Sequence, residues 1–427
     1  MANMDSSLPE FYKKTVEERK GILKDMLSLS DEELRLLDSG GITTEQGNRM
    51  AENVIGQFAL PLGIAANFRI NGNDVLIPMA TEEPSVIAAA SYAAKLCRPD
   101  GFVAKCDAPI MTGQIYIVGV KSPNDAKKKV LARKMELIAQ ANSEDRAMLV
   151  KYGGGVKEIE ARAFKNELVV YVSVDCRDAM GANAVNTICE TLAPEIEKLS
   201  GGTARMRILS NLAIKRKAYA KATWKKDVLQ KSVKIETNID VVSAMLEAYK
   251  FAVDDQFRAT THNKGIMNGI DAVVIATGND FRAVEAGAHS YAAYEREYTP
   301  LTRYYKDKEG NLVGEIELPI AVGIIGGATK THPLAQLSLK IMAVRSAQEL
   351  AQVIAAVGLA QNFAAMRALV TEGIQKGHMR LHAKNIAVMA GARDEEIDAV
   401  AELMALEKKV RVDRAKELLE KIRGEKR

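Results

Sequence analysis

The sequence predicts an α+β fold: a mainly helical large domain, a ferredoxin-like βαββαβ unit inserted in it, and a C-terminal helical flap. Three observations point there. The chain has 427 residues, more than one hydrophobic core usually serves, so it divides into two or three units. Residues 115–213 show apolar patterns in the order strand, helix, strand, strand, helix, strand, over the length such a unit needs. Beyond the glycine-rich stretch 323–327, helical periodicity dominates to the end of the chain.

In the first hundred residues the helices carry clear punctuation. Ser30-Asp31-Glu32-Glu33 is a capping box, and Gly40-Gly41 closes its helix. Thr43-Thr44-Glu45-Gln46 is a second box, opening a helix expected to reach Gly56. Phe68-Arg69-Ile70 and Val75-Leu76-Ile77 read as strands joined by Asn71-Gly72-Asn73-Asp74, a hairpin signal. Pro84 suits the first position of a helix over 86–97, which leaves Glu83 where a strand passes into a helix. In the middle unit, 115–120, 156–164, 168–174 and 205–212 read as strands, 124–142 and 182–199 as helices. Residues 241–257 are helical again, Ile270–Ala276 reads as a short apolar strand, and 283–296 as a helix. Residues 306–314 form a polar hairpin tip, with 315–319 returning. Residues 347–376 make a long Ala-rich helix, Gly377 interrupts it, and 379–390 continue it. A helix capped by Asp394 and a last one from Arg414, capped by Asp413, follow. Gly391 and Lys408-Lys409 are hinge candidates, so this end is expected to move as a flap.

Composition bounds the function. Hydrophobic residues are 47% and charged residues 27%, which excludes a disordered chain, a collagen and a small disulfide scaffold. Aromatics are only 5%, so small-residue helix packing is expected. Lys+Arg is 59 against Asp+Glu 55, and a surplus of +4 is no nucleic-acid footprint. Runs at 127–129, 215–217 and 225–226 read as solvated faces. Lys215 to Lys226, which includes Tyr219 and Trp224, is the best place for base stacking, with a bound anionic ligand as an equal alternative. Cys97, Cys106, Cys176 and Cys189 have no CxxC spacing, and lone thiols suit a reducing cytosol. No apolar leader and no membrane span of about 18 uninterrupted apolar residues is visible, so a cytoplasmic protein is expected.

Few segments carry chemistry. GxGxxG and Walker A patterns fail everywhere, the triple glycine 153–155 included. Asp178-Ala179-Met180-Gly181-Ala182-Asn183 lies between a strand and a helix. It is either a tight turn with a capped helix or a pyrophosphate cradle at a helix N-terminus. His378 and His382 have i, i+4 spacing, but no third ligand accompanies them, so no metal is expected. The sharper reading of such a histidine is a proton donor on a mobile segment. Lys264 and Asp280 lie in polar corners that flank the strand expected at 270–276. With Glu83 they would place one cation between two carboxylates, able to stabilise an oxyanion and deliver a proton.

Glu52-Asn53-Val54-Ile55-Gly56, Ile70-Asn71-Gly72, Glu82-Glu83-Pro84-Ser85, Asp178–Asn183, Arg258 with Thr261–Asp271, Ala276–Asp280 and Leu381–Asn385 follow one another in a familiar order. Together they resemble the soluble class II 3-hydroxy-3-methylglutaryl-CoA (HMG-CoA) reductases of bacteria and archaea, over nearly the whole chain. The resemblance implies that HMG-CoA takes two hydrides from NADPH or NADH and yields mevalonate and coenzyme A, or the reverse. It implies catalytic roles for Glu83, Lys264, Asp280 and His382, and substrate binding by Ser85, Arg258, Asn211 and Asn268. It places the cofactor on the βαββαβ unit, at Asp178, Met180, Gly181, Ala182 and Asn183, with no metal. The large substrate domain then comprises 1–110 and 215–377, the cofactor domain 111–214 and the flap 378–427. A homodimer with its active site at the interface, open to further assembly, is implied too. NADH-preferring relatives carry an acid seven positions before the triple glycine. Here Arg146 stands there, next to Asp145, and an arginine favours the 2′-phosphate of NADPH. The competing reading is an anion- or RNA-binding ferredoxin-like module without catalysis. It has Tyr116, Phe164 and Tyr171 to stack bases, without the RNP1 pattern.

Overall fold

The computed structural model describes residues 5–143, 148–233, 240–294, 297–371, 373, 383–407 and 409–425. Helices α1 (Val16–Leu27), α2 (Asp31–Ser39) and α3 (Thr44–Met50) lead into the hairpin β1 (Leu62–Ile70) and β2 (Asn73–Ala80), then α4 (Val86–Leu96) and β3 (Phe102–Cys106). A second unit runs β4 (Ile110–Val118), α5 (Pro123–Ala132), α6 (Lys134–Ala141), α7 (Met148–Lys151), β5 (Gly155–Ala163), β6 (Glu167–Asp175), α8 (Ala182–Ser200) and β7 (Thr203–Ser210). The chain continues through β8 (Lys217–Trp224), α9 (Lys226–Lys231), α10 (Val241–Asp254), α11 (Gln256–Ala276), α12 (Phe281–Ala292), β9 (Thr302–Lys306) and β10 (Leu312–Pro319). Helices α13 (Gly327–Thr331), α14 (Pro333–Met342), α15 (Ala347–Val370), α16 (383–389), α17 (Glu395–Leu406) and α18 (Val412–Glu425) complete it.

Local chemistry explains much of this. The boxes at Ser30 and Thr43 close with both reciprocal bonds, a further box at Thr15 opens α1, and Gly40 ends α2 in the left-handed region. Asn71 and Gly72, with φ of 50° and 80°, turn β1 into β2 as a two-residue hairpin.

Two sheets result, ordered β2-β1-β3-β8-β10-β9 and β5-β6-β4-β7. The second is the βαββαβ arrangement, antiparallel throughout, with helices on one face. Its strands alternate: Ile115, Ile117, Val170 and Val172 are buried, while Gln114, Tyr116 and Tyr171 face outward. The unit leaves after β3 and returns as β8, and these two strands pair directly. Its two junctions are therefore adjacent, which is why so long an insertion leaves the first sheet intact.

The larger core lies between the six-stranded sheet and helices α4, α11 and α15. Ala218, Ala220 and Ala222 present a shallow face of β8, and Trp224 stacks on Phe363 of α15 at 3.9 Å. Glycines let α11 and α15 cross closely. A Cβ on Gly269 would meet that of Gln361 at 2.9 Å, and one on Gly358 would meet Ile270 at 2.9 Å. Helix α15 is long and apolar enough to cross a membrane, yet 78% of its apolar window is buried inside the fold, as a core helix requires.

The α+β class stands, with several corrections. The large part carries more sheet than expected, because β3 and β8 are short and Ala-rich. Residues 270–276 are the last turns of α11, not a strand. Mostly buried among α15, α12 and β2, they are apolar except for Asp271, and so apolar a run shows no clear helical period. Residues 261–265 lie mid-helix rather than at a corner, although Thr261, His262, Asn263, Lys264 and Gly265 are polar or small. Helix α3 stops at Met50, well short of Gly56. Ser85, at φ 74°, is the residue before α4, so Pro84 stands outside the helix. Helix α12 begins at Phe281 and ends at Ala292. Asp394 makes no side-chain cap; Glu396 instead accepts the amide of Arg393 at 3.0 Å. The final helix starts at Val412, which puts Asp413 inside its first turn.

Candidate active site

The hairpin β1–β2 delivers Glu83 against α11. Lys264 Nζ lies 2.8 Å from Glu83 Oε2, and Asn268 Nδ2 donates to Glu83 Oε1 at 3.2 Å. Lys264 and Asn268 are one turn apart, so a single helix face holds both carboxylate oxygens. The face is open: the Lys264 side chain is 60% exposed and that of Glu83 31%. Arg258 stands in the first turn of the same helix, half-buried, and burial lowers its guanidinium from the usual range. Among the described residues it forms no ion pair with an acid. A desolvated cation without a partner is costly, and an anionic ligand removes the cost. Ser85 is also half-buried, and its hydroxyl does not cap α4.

Asp280 does not join this cluster. It caps α12, accepting from the amides of Arg282 at 3.1 Å and Ala283 at 3.2 Å, and pairs with Arg282. Helix α11 runs on from Lys264 to Ala276, a rise of about 18 Å. The trio expected from the sequence is thus split within one chain. Lys264 lies mid-helix rather than in a polar corner, which is what sets it apart from Asp280. Asn211 sits with the Asp280 half: it is exposed, and its carbonyl would lie 2.8 Å from a Cβ on Gly287 of α12.

The loop 178–181 also belongs to that half. Gly181 precedes α8 at φ 103° without a side-chain cap, and a Cβ there would strike Cys176 Sγ at 2.2 Å. The first-turn amides of α8, from Ala182 and Asn183 on, are left open to an anion. Asp178 turns away from such a ligand, because its Oδ1 accepts the amide of Ala347 at 2.9 Å. Three residues that the sequence did not single out hold this loop. Arg216, 2% exposed, donates to the carbonyls of Ala179 and Met180 at 3.1 Å each, and to that of Val322. Asn279 clasps Gly323 through its amide at 2.7 Å and its carbonyl at 3.0 Å. Gly323 packs so tightly on the loop that a Cβ would lie 2.5 Å from Met180 N. Asp280 and the 178–181 loop are thereby braced by neighbouring backbone. Arg216 was hidden in a basic run, and only its burial distinguishes it. Arg146, His378 and His382 lie outside the described residues.

The basic stretch 215–226 is neutralised rather than gathered. Lys215 bonds Glu158 and Glu160, Lys217 bonds Glu317, and Lys221 bonds Glu315. Trp224 is fully buried and unavailable to a base. On the open sheet face Tyr116 donates to Glu167, Tyr171 lies under Arg162, and Phe164 follows β5 in the turn. Nothing here supports the RNA-binding alternative. Burial pushes the thiols of Cys97 and Cys189 up to about 12, and those of Cys106 and Cys176 to about 11. These are inert core thiols.

The hydroxymethylglutaryl-coenzyme A reductase family model matches residues 15–383. A 3-hydroxy-3-methylglutaryl-coenzyme A reductase from Archaeoglobus fulgidus is 56% identical over 426 residues, covering 99% of this chain and 96% of its own. The enzyme from Streptococcus pneumoniae superimposes with a TM-score of 0.82 at 39% identity, over 97% of this chain and all of that one. A class II structure from the same organism, bound to NADPH in open conformations, gives 0.80 at 40% identity, over 96% and all. With sequence and fold matched over nearly the full length, and an acid, a lysine and an asparagine gathered on one helix face, the chain belongs to the hydroxymethylglutaryl-coenzyme A reductase family.

Proposed function

We propose that the Glu83–Lys264–Asn268 face of α11 is where this HMG-CoA reductase holds the reacting carbonyl of HMG-CoA. The observation that carries the proposal is the pairing itself, with a lysine held at 2.8 Å by a carboxylate on an open helix face. Arg258 anchors the substrate carboxylate, and Ser85, Asn211 and Asn268 hold its polar groups. When bound, a reduced nicotinamide supplies the hydrides. Lys264 stabilises the oxygen that gains negative charge at each reduction. Glu83 hands a proton to the mevaldehyde carbonyl, and His382 gives one to the departing coenzyme A thiolate. Asp280 orients Lys264 and Glu83 by hydrogen bonding.

Because Asp280 lies far from Lys264 in one chain, a second copy brings it there, and the site is completed at a homodimer interface. Ile55 and Phe58 on the extended 51–61 segment, and Phe257 beside Arg258, are almost wholly exposed. A second copy buries such a surface and closes the site to water. The division into a substrate domain (1–110 and 215–377), a cofactor domain (111–214) and a flap (378–427) follows. Separate buried clusters under β4–β7 and among α16–α18 support it, and the setting is cytoplasmic.

The cofactor pyrophosphate fits the open N-terminus of α8, at Gly181, Ala182 and Asn183 beside Met180. Arg146 favours NADPH. The test is nicotinamide oxidation at 340 nm with HMG-CoA. NADPH should give the higher kcat/KM, and Arg146→Asp should reverse the order by about tenfold, since a lost charge-assisted phosphate contact is worth about 1.5–3 kcal/mol. A wild type that strongly prefers NADH refutes the Arg146 assignment.

A further inference from the structure

Between α11 and α12 lies a chain of titratable groups that the proposed chemistry does not use. Asp271, one turn beyond Asn268, forms a side-chain hydrogen bond with Glu285 of α12. Glu285 Oε2 is 2.7 Å from His289 Nε2, and His289 Nδ1 is 2.7 Å from the Tyr298 hydroxyl. Tyr298 meets Asn263, back on α11, whose amide is fixed to Thr299 and Leu301 at 3.0 and 2.9 Å. Among the described residues the second oxygen of Asp271, Oδ1, is buried without a partner. Two ionised carboxylates in contact, one with an orphaned buried oxygen, would be untenable. A hydrogen bond between two carboxyl groups also needs a proton on one of them.

We propose that Asp271 and Glu285 share one proton, and that this bond, braced by His289 and Tyr298, is a latch that positions α12, and with it Asp280, against α11. Asp271 donates, and Glu285 accepts from both Asp271 and His289. The latch stands between the two parts that one chain lends to the two sites of the proposed dimer. Asn268, three residues before Asp271, touches Glu83, and Asp280 caps α12 five residues before Glu285. These groups are positioning residues, since neither acid touches the Glu83 cluster. The inference rests on the role proposed above for Asp280.

Burial and the neighbouring Glu285 raise the Asp271 carboxyl to about 8. Glu285 is the charged group that acts on Asp271, and His289 and Asp271 act on Glu285. Strand β2 and helices α4, α10, α14 and α15 also pack on α11, and β10 packs on α12, and none of their described titratable side chains acts on either carboxyl. A carboxyl raised from its usual 3.8 to about 8 holds its proton more tightly folded than unfolded. Its contribution to stability therefore falls as pH climbs from 3.8 toward 8, and is fully unfavourable above that.

Asp271→Asn keeps a permanent donor to Glu285, and Asp271→Ala removes it. Melting curves should show Asp271→Asn gaining on wild type steadily from pH 4 to pH 8, by several degrees at the upper end. In the HMG-CoA assay wild-type kcat should fall on the alkaline side near pH 8, and Asp271→Asn should keep wild-type kcat at pH 7 and lose that fall. Asp271→Ala should lose about tenfold in kcat with little change in KM, as expected when a catalytic group is misplaced. A melting difference that is flat with pH overturns the shared proton, whatever Asp280 does. Equal kcat losses in the Asn and Ala variants overturn the latch. If Asp280→Asn is fully active while the Asp271 variants behave as expected, the role of Asp280 has failed and the latch positions another part of α12.

Discussion

Lys264 shows how little a pairing proposed for catalysis needs to contribute to stability. Its bond to Glu83 is short, yet the side chain is 60% exposed, and exposed pairs contribute about 0–1 kcal/mol. Lys264→Ala should therefore leave the melting temperature within about a degree while cutting kcat by about 10³-fold, the scale of losing a charge aimed at an oxyanion. A comparable loss of folded protein would make the residue structural instead. At this scale the sequence was generous. Glu83, Lys264 and Asn268 were named from their motifs and do meet. Arg216 was not, because a buried guanidinium reads in sequence like its solvated neighbours Lys215 and Lys217.

Among the elements, the 178–183 segment was open in sequence between a plain turn and a phosphate cradle. The structure shows a glycine that no other residue replaces comfortably. Gly181→Ala places a methyl against Cys176 Sγ at a φ of 103°, which should cost about 1–3 kcal/mol of stability. It should raise KM for the nicotinamide several-fold more than KM for HMG-CoA, by twisting the α8 amides. Urea unfolding and two-substrate kinetics check both, and equal KM changes would remove the segment from the cofactor site. Capping boxes and the Asn-Gly hairpin were legible because their causes are local. The end of α11 was not, because where α15, α12 and β2 enclose it Asp271 is the one polar residue of 270–276, too little to mark a helical period.

For the whole molecule, the separation of Lys264 from Asp280 makes a dimer testable by mixing. Lys264→Ala and Asp280→Asn homodimers should each be nearly inactive. Co-refolded, half the dimers carry both variants, and each of those has one site with both native residues, so activity should return to about a quarter of wild type. No recovery would mean that both groups serve the same site from one chain. The sequence by itself determined the family, the α+β class, the βαββαβ unit and which residues are candidates for the site, because motifs, caps and strand periods are short-range features. Only the tertiary structure decided which of those residues meet. It put Glu83 beside Lys264, sent Asp280 beyond the far end of that helix to cap α12, bolted the 178–181 loop to Arg216 and Gly323, and buried Asp271 against Glu285. Such contacts depend on where long helices cross and how closely glycines let them approach, and no local pattern encodes that.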